Sequence, residues 1–99
     1  MNINIQSIKF NADQKLIAFI EEKVAKLDKF YDGIVTAEVL LSLENVSDDK
    51  NKVAKIRLEV PGSDLFAENQ CKTFEEAVDL NVDTLKKQLQ KHKDKQRGS

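Results

Sequence analysis

Residues 35–60, VTAEVLLSLENVSDDKNKVAKIRLEV, contain two alternating segments that are separated by a polar loop over 45–51. Apolar side chains recur at every second position of both segments, and this period places them on one face of a strand. They are Val35, Ala37, Val39, Leu41 and Leu43, then Ala54, Ile56, Leu58 and Val60. The pattern predicts two neighbouring strands, joined as a hairpin, with one buried face.

Weaker strand patterns lie on both sides of this hairpin. Pro61-Gly62 breaks the strand before it, and residues 65–70 predict a shorter strand at the edge of the sheet. Residues 2–10 alternate polar residues with Ile3 and Ile5, and Ile8 is a further apolar candidate. The chain is therefore expected to form four strands.

Two amphipathic helices complete the set of elements. Asp13 suits the N-cap of a helix that reaches about Tyr31, and Gly33 suits a left-handed position just after it. Thr73 and Glu76 match a capping box at the start of a second helix, which we expect to extend to roughly Lys93. Each helix has one apolar stripe, composed of Leu16, Ile17, Ile20, Val24 and Leu27 in the first and of Phe74, Val78, Val82, Leu85 and Leu89 in the second.

These elements predict an α+β fold with the order β-α-β-β-β-α. A right-handed crossover makes the first two strands parallel, and the later strands pair as hairpin neighbours. Because each helix has a single apolar stripe, both should pack on the same face of a four-stranded mixed sheet. A chain of 99 residues suits one domain, expected over 1–95, with a flexible basic tail over 96–99.

Composition argues against several classes of protein. No apolar run approaches the length of a membrane span, and the N-terminus lacks the pattern of a secretory signal. Cys71 is the only cysteine and His92 the only histidine, so we expect no disulfide, no metal cluster and a reducing, cytoplasmic location. No nucleophile-elbow, P-loop or dinucleotide motif occurs. We therefore expect no catalytic residues, no cofactor and no small-molecule substrate.

The formal net charge of −1 conceals an uneven distribution. Residues 1–83 contain 10 Lys or Arg and 16 Asp or Glu, a balance of −6, whereas residues 84–99 contain six Lys or Arg and one Asp, a balance of +5. A helix dipole favours cations only within the last turn, and these cations extend further. A nucleic-acid partner accounts for the whole run, and a solvated basic tail is the alternative that the pattern favours less. The first helix has lysines along one flank, although a solvated helix with incidental charge sorting fits it about equally well.

Four segments resemble the family of short ribosome hibernation promoting factors and the related ribosome-associated inhibitor, or Y protein. LKKQLQKHKDK over 85–95 resembles the end of that family's second helix, and AKLDKF over 25–30 resembles the end of its first. The opening MNINI and the segment Ala77-Val78-Asp79 agree in order and spacing. The sequence departs from many relatives at 73–75, where they have Asp, Met and Tyr, and at Lys87, where they have Arg.

The resemblance implies the β-α-β-β-β-α fold, which is related to double-stranded-RNA-binding domains. It implies a bacterial ribosome hibernation factor that binds the small subunit and its 16S rRNA at the mRNA channel and the A and P tRNA sites. Such a factor inhibits translation and preserves inactive ribosomes in stationary phase or stress, and is a monomer away from the ribosome. The positions carried over as rRNA-binding residues are Lys23, Lys26, Lys29, Lys86, Lys87, Lys91, Lys93 and Lys95.

Two other functions remain open on the residues alone. One is a generic module for double-stranded RNA that has no relation to ribosomes. The other is a protein–protein adaptor that uses the open face of the sheet, where Glu38, Leu40, Lys55 and Arg57 should project. The two differ in whether the basic end of the second helix is needed for binding.

Overall fold

The computed structural model describes residues 1–44 and 49–97, with side chains up to Lys95. Its elements are β1 (Asn2–Ser7), α1 (Gln14–Phe30), β2 (Thr36–Leu43), β3 (Lys52–Val60), β4 (Ser63–Cys71) and α2 (Phe74–Arg97). The predicted order is confirmed. Residues 45–48 of the predicted hairpin loop lie outside the described residues.

The four strands form one mixed sheet in the order β1-β2-β3-β4. β1 is parallel to β2, and the other two pairs are antiparallel. The register places Ile5 beside Val39, Val39 beside Ile56, and Ile56 beside Ala67. This row crosses the whole sheet on the face that the helices cover.

Both helices pack on that one face, as predicted. Ile20 and Val24 of α1, Ile56 of β3, and Leu85 and Leu89 of α2 belong to a single buried cluster, and each is 0% exposed. Full burial of a side chain of this size stabilises the folded state by about 1.5–3 kcal/mol. The apolar stripes of the two helices thus account for their placement.

Side-chain caps begin both helices. The Asp13 carboxylate accepts from the backbone N–H of Leu16 at 2.8 Å, and the Thr73 hydroxyl accepts from that of Glu76 at 3.1 Å. Both N-cap predictions are confirmed. The end of α2 differs from the prediction, because the helix continues to Arg97 rather than stopping near Lys93. Contacts of His92 and Lys93 with aromatic rings at the end of α1 support these last turns.

Two strand predictions were wrong in length. β1 ends at Ser7, where the Ser7 hydroxyl donates to the carbonyl of Phe10 at 2.7 Å and Lys9 adopts a left-handed φ of 64°. Ile8 is consequently 43% exposed. β4 has nine residues and is not short, since the two-residue turn at Pro61-Gly62 brings Ser63 directly opposite Val60.

Gly33 is not left-handed, so the reason predicted for this glycine was wrong. The only glycine with positive φ in the described chain is Gly62, at 81°. The helix ends instead at Tyr31, whose backbone is extended and whose N–H donates to Leu27. Position 33 requires a glycine for a different reason, because a Cβ atom there would lie 2.6 Å from Cε2 of Tyr31.

Candidate nucleic-acid interface

The two helices lie side by side and run in the same direction. Lys23 on α1 pairs with Asp79 on α2 at 3.1 Å, and seven residues further along both helices Phe30 contacts Lys86. Equal spacing along both helices means that they are parallel, so the C-terminal end of α1 lies beside residues 86–93 of α2, and α2 continues beyond it to Arg97. The negative end of the α1 dipole therefore lies beside the lysines of α2 and favours cations there.

Two lysines of α2 rest on one aromatic ring of α1. The Nζ atoms of Lys86 and Lys93 lie 5.5 and 5.6 Å from the ring centroid of Phe30. Lys23 has a similar contact with Phe19 at 5.6 Å. Both rings pack against the hydrophobic core on one side. On the other side they contact the lysine side chains and hold them at the surface.

The eight predicted lysines fall into two groups. Residues 19, 23, 26 and 30 form one stripe of α1 that faces α2, and Lys29 shares a surface depression with Lys93. We call these the junction lysines: Lys23, Lys26, Lys29, Lys86 and Lys93. The remaining three follow one another at intervals of four residues on the other flank of α2, and we call them the outer lysines: Lys87, Lys91 and Lys95.

The outer lysines lie on the side of α2 that is next to β4. The side-chain amide of Gln88 donates to the carbonyl of Phe66 in β4 at 3.0 Å, and Lys91 is three residues beyond Gln88. The structure thus gathers all eight candidates towards one end of the molecule but divides them between two flanks of α2. Helical spacing alone did not predict which flank faces α1.

Acidic partners hold two of the candidate lysines. Lys87 pairs with Asp83 at 3.6 Å, in addition to the Lys23–Asp79 pair. Both carboxylates are exposed, and ion pairs at the surface stabilise a protein by about 0–1 kcal/mol, so a phosphate group can replace either carboxylate at little cost. Six of the eight candidates are exposed, and Lys23 and Lys93 are half-buried.

The opposite face of the sheet has a different character. Glu38, Leu40, Lys55 and Arg57 line a shallow depression there, together with Phe66, which is 50% exposed. Arg57 bonds to Glu38 at 2.8 Å and to Asp64 at 3.0 Å, and its pKa is raised, mainly by the hydrogen bond to Glu38. The four side chains therefore project from this face as predicted, and Arg57 is already paired with two carboxylates. Phe66 was not predicted at this face, because the alternation in its strand is weak.

The described part of the chain holds no group of three or more His, Cys, Asp or Glu side chains that could bind a metal ion. No helix within those residues is long and apolar enough to cross a membrane. Cys71 is a buried free thiol, and burial followed by the charge of Glu76 raises its pKa. A raised pKa disfavours the reactive thiolate, so this cysteine has the character of a core residue.

Comparison with known proteins points to one family. Residues 3–97 match the family model described as "Sigma 54 modulation protein / S30EA ribosomal protein". The chain is 31% identical over 96 residues to the ribosome hibernation promoting factor of Azotobacter vinelandii, covering 97% of this chain and 86% of that protein. It is 32% identical over 95 residues to the Escherichia coli factor of the same name, covering 96% of each.

A solved structure agrees with the sequence matches. The Protein Y N-terminal domain of Thermus thermophilus superimposes on the chain with a TM-score of 0.81 at 29% sequence identity. The superposition covers 93% of this chain and 99% of that domain. The similarity therefore extends over both helices and the whole sheet.

Proposed function

The chain belongs to the Sigma 54 modulation protein / S30EA ribosomal protein family, and from this premise we propose that it is a ribosome hibernation factor. Relatives across its whole length have that name, and the family is ribosome-associated and not enzymatic. We propose that it acts in the bacterial cytoplasm. There it binds the small ribosomal subunit and its 16S rRNA at the mRNA channel and the A and P tRNA sites, without any cofactor. It thereby inhibits translation and preserves inactive ribosomes in stationary phase or stress.

The observation that carries this proposal is the group of eight lysines along the C-terminal halves of two parallel helices. Dipole stabilisation alone requires cations only in the last turn of each helix. The outer lysines extend over more than two turns of α2, and the junction lysines reach back to Lys23. A surface that neutralises several phosphate groups accounts for both extensions.

The proposed mechanism is competitive and steric. The lysines neutralise rRNA phosphates on both flanks of α2, and the body of the domain occupies space that tRNA and mRNA would use. Recognition should depend on the shape of the RNA more than on its base sequence. No bond is made or broken in this mechanism, in agreement with the non-enzymatic family.

Co-sedimentation with purified small subunits tests the proposal. If most of the eight lysines contact phosphates, affinity should fall about 10³- to 10⁵-fold between roughly 50 and 200 mM salt. The double variant Lys87→Glu and Lys91→Glu should abolish pelleting. Lys55→Glu with Lys72→Glu makes the same change in net charge away from the basic end and should still pellet.

Three outcomes would contradict the proposal. They are a wild type that fails to pellet with small subunits at low salt, wild-type pelleting that does not depend on salt, and a Lys87/Lys91 variant that still pellets. The assay also separates the other functions. Equal affinity for a free RNA duplex and for the intact subunit favours a generic duplex-RNA module. Binding that survives the reversal at the basic end favours an adaptor that uses the open face of the sheet.

A further inference from the structure

A depression of about 440 Å³ lies where α1 ends beside the last turns of α2. It combines aromatic surface, two cations from different helices and one carboxylate. The residues that line it are Lys29, Phe30, Tyr31, Asp32, Gly33 and Lys93. The contacts of these side chains indicate what kind of ligand the depression fits.

Tyr31 forms a wall whose position is fixed. Its extended backbone leaves the helix, and its N–H donates to the carbonyl of Leu27 at 2.9 Å. The ring lies against Gly33, where even a Cβ atom would approach Cε2 to 2.6 Å. The rings of Tyr31 and His92 form a T-shaped contact, with centroids 5.8 Å apart and planes at 70°. A ring held in this way can stack on a flat ligand with little further loss of conformational freedom.

The charges of the depression are mixed. Lys93 is half-buried with its Nζ atom over the ring of Phe30, and Lys29 is exposed on the other helix. Asp32 supplies a carboxylate beside them. Two ammonium groups attract a phosphate, but the carboxylate repels it, so a bare anion is a poor match. A nucleotide has a phosphate for the lysines, a flat base for the tyrosine, and N–H donors for the carboxylate.

We propose that this depression binds one unpaired nucleotide of RNA, with its base stacked on Tyr31, its phosphate between Lys29 and Lys93, and its N–H groups donating to Asp32. Guanine fits best, because its Watson–Crick edge presents two adjacent N–H donors and a carboxylate accepts two bonds. This inference deepens the proposed function, on which it rests for the source of the RNA. It assigns a sequence preference at one position of an interface that otherwise recognises shape.

Tyrosine fluorescence measures binding at this position directly, because Tyr31 is the only tyrosine and the chain has no tryptophan. The full chain is titrated with the single-stranded RNAs UUGUU and UUUUU and with inorganic polyphosphate. We expect UUGUU to quench the emission saturably and to bind about tenfold more tightly than UUUUU, as hydrogen bonds to a charged group allow. Polyphosphate should leave the emission unchanged.

Variants test each contact by anisotropy of a labelled UUGUU. Tyr31→Leu should weaken binding about tenfold, whereas Tyr31→Phe, which keeps an aromatic ring, should stay within about twofold of the wild type. Asp32→Asn should remove the preference for UUGUU over UUUUU. Asp28→Asn makes the same change outside the depression and should leave that preference intact.

The proposal is overturned if UUGUU does not quench Tyr31, if polyphosphate quenches equally, or if Tyr31→Leu binds as tightly as Tyr31→Phe. Retained preference in the Asp32→Asn variant would also overturn the assigned contact. Pelleting with small subunits is measured in parallel. Wild-type protein that pellets without any quenching by the oligonucleotide refutes this site alone, and quenching without pelleting refutes the ribosomal function alone.

Discussion

Asn81 of α2 donates from its side-chain amide to the backbone carbonyl of Ala54 in β3 at 2.8 Å, and is itself 0% exposed. Its side-chain oxygen accepts from the amide of Asn69 in β4 at 2.6 Å. One polar side chain therefore joins the second helix to two strands inside an otherwise apolar core. Within the described residues, every buried side-chain nitrogen or oxygen has a partner, so this network is fully satisfied.

Asn81→Ala should lower the free energy of unfolding by about 2–4 kcal/mol. The change removes both hydrogen bonds and leaves the buried Ala54 carbonyl without this partner, at about 1–3 kcal/mol, and it removes packed side-chain atoms from a fully buried position. The Asn69 amide is half-buried and can bond to water instead. Urea denaturation followed by circular dichroism measures the loss. Thr84→Ala, an exposed change on the same helix, should alter the value by less than about 0.5 kcal/mol. A loss below 1 kcal/mol at Asn81 would show that the network contributes little.

Asn81 also illustrates which parts of the fold a sequence pattern predicts. The alternation of Val39 with Leu41 and the helical spacing of Leu85 and Leu89 depend on local geometry, so the elements and the centres of their buried faces could be predicted. At the ends of the predicted strand the pattern was wrong, because Val35 and Leu43 are 52% and 48% exposed. Asn81 is polar and interrupts its stripe, and its partners are 12 and 27 residues away in the chain. Nothing local distinguishes it from a solvent-exposed asparagine.

The candidate interface likewise has some features that the sequence predicts and others that depend on the tertiary structure. The sign and number of the charges on α2 follow from composition, and the family resemblance supplied the positions. The separation of Lys86 from Lys87 onto different flanks depends on where α1 lies, which is tertiary information. Gly33 gives a further example, since its turn-like sequence predicted a left-handed backbone but the ring of Tyr31 is what requires a glycine there.

Gly33→Ala and Gly62→Ala should both destabilise the domain, but for different reasons. At Gly33 the new Cβ atom meets the ring of Tyr31, so the ring must move and its fluorescence and near-ultraviolet circular dichroism should change. At Gly62 nothing lies within 4 Å of a Cβ, and the cost of about 1–2 kcal/mol comes from the backbone at φ 81°.

The tyrosine spectra separate the two glycine variants. Gly62→Ala serves as the control, because it should lower the urea midpoint while the tyrosine signals of the folded protein stay as in the wild type. Unchanged spectra for Gly33→Ala would contradict the packing of Tyr31 on this glycine.

Asp83→Asn should increase affinity for small subunits. The carboxylate pairs with Lys87 at 3.6 Å, so its neutralisation frees that lysine and removes a charge that repels phosphate. We expect binding to be about two- to tenfold tighter at low salt, with a gain that shrinks as salt screens the charge. Co-sedimentation at two salt concentrations measures this effect.

Asp28→Asn is the matched control for that experiment, since it removes the same charge from the flank of α1 that faces away from the junction lysines. It should leave affinity nearly unchanged. Equal gains from both variants would mean that overall charge, and not the release of Lys87, sets the affinity. The stability of Asp83→Asn should change by less than about 1 kcal/mol, because its pair with Lys87 is exposed.

Cys71 should make stability depend on pH in the alkaline range. Burial, followed by the charge of Glu76, raises the pKa of its thiol in the folded state. Below the ordinary cysteine value of about 8.5 the thiol is protonated in both states and has no effect. Above that value the unfolded thiol ionises while the folded one keeps its proton, so unfolding releases a proton and the free energy of unfolding falls as pH rises.

The effect of Cys71 is measured as a difference between two proteins, because lysines titrate in the same range. The free energy of unfolding of the wild type should decline above about pH 8.5 more steeply than that of Cys71→Ala, by at most about 1.4 kcal/mol per pH unit. The variant is less stable at neutral pH because it leaves a small cavity at a residue that is 7% exposed, so the gap between the two proteins should narrow with pH. A gap that stays constant from pH 7 to 10 would show that the thiol ionises equally in both states.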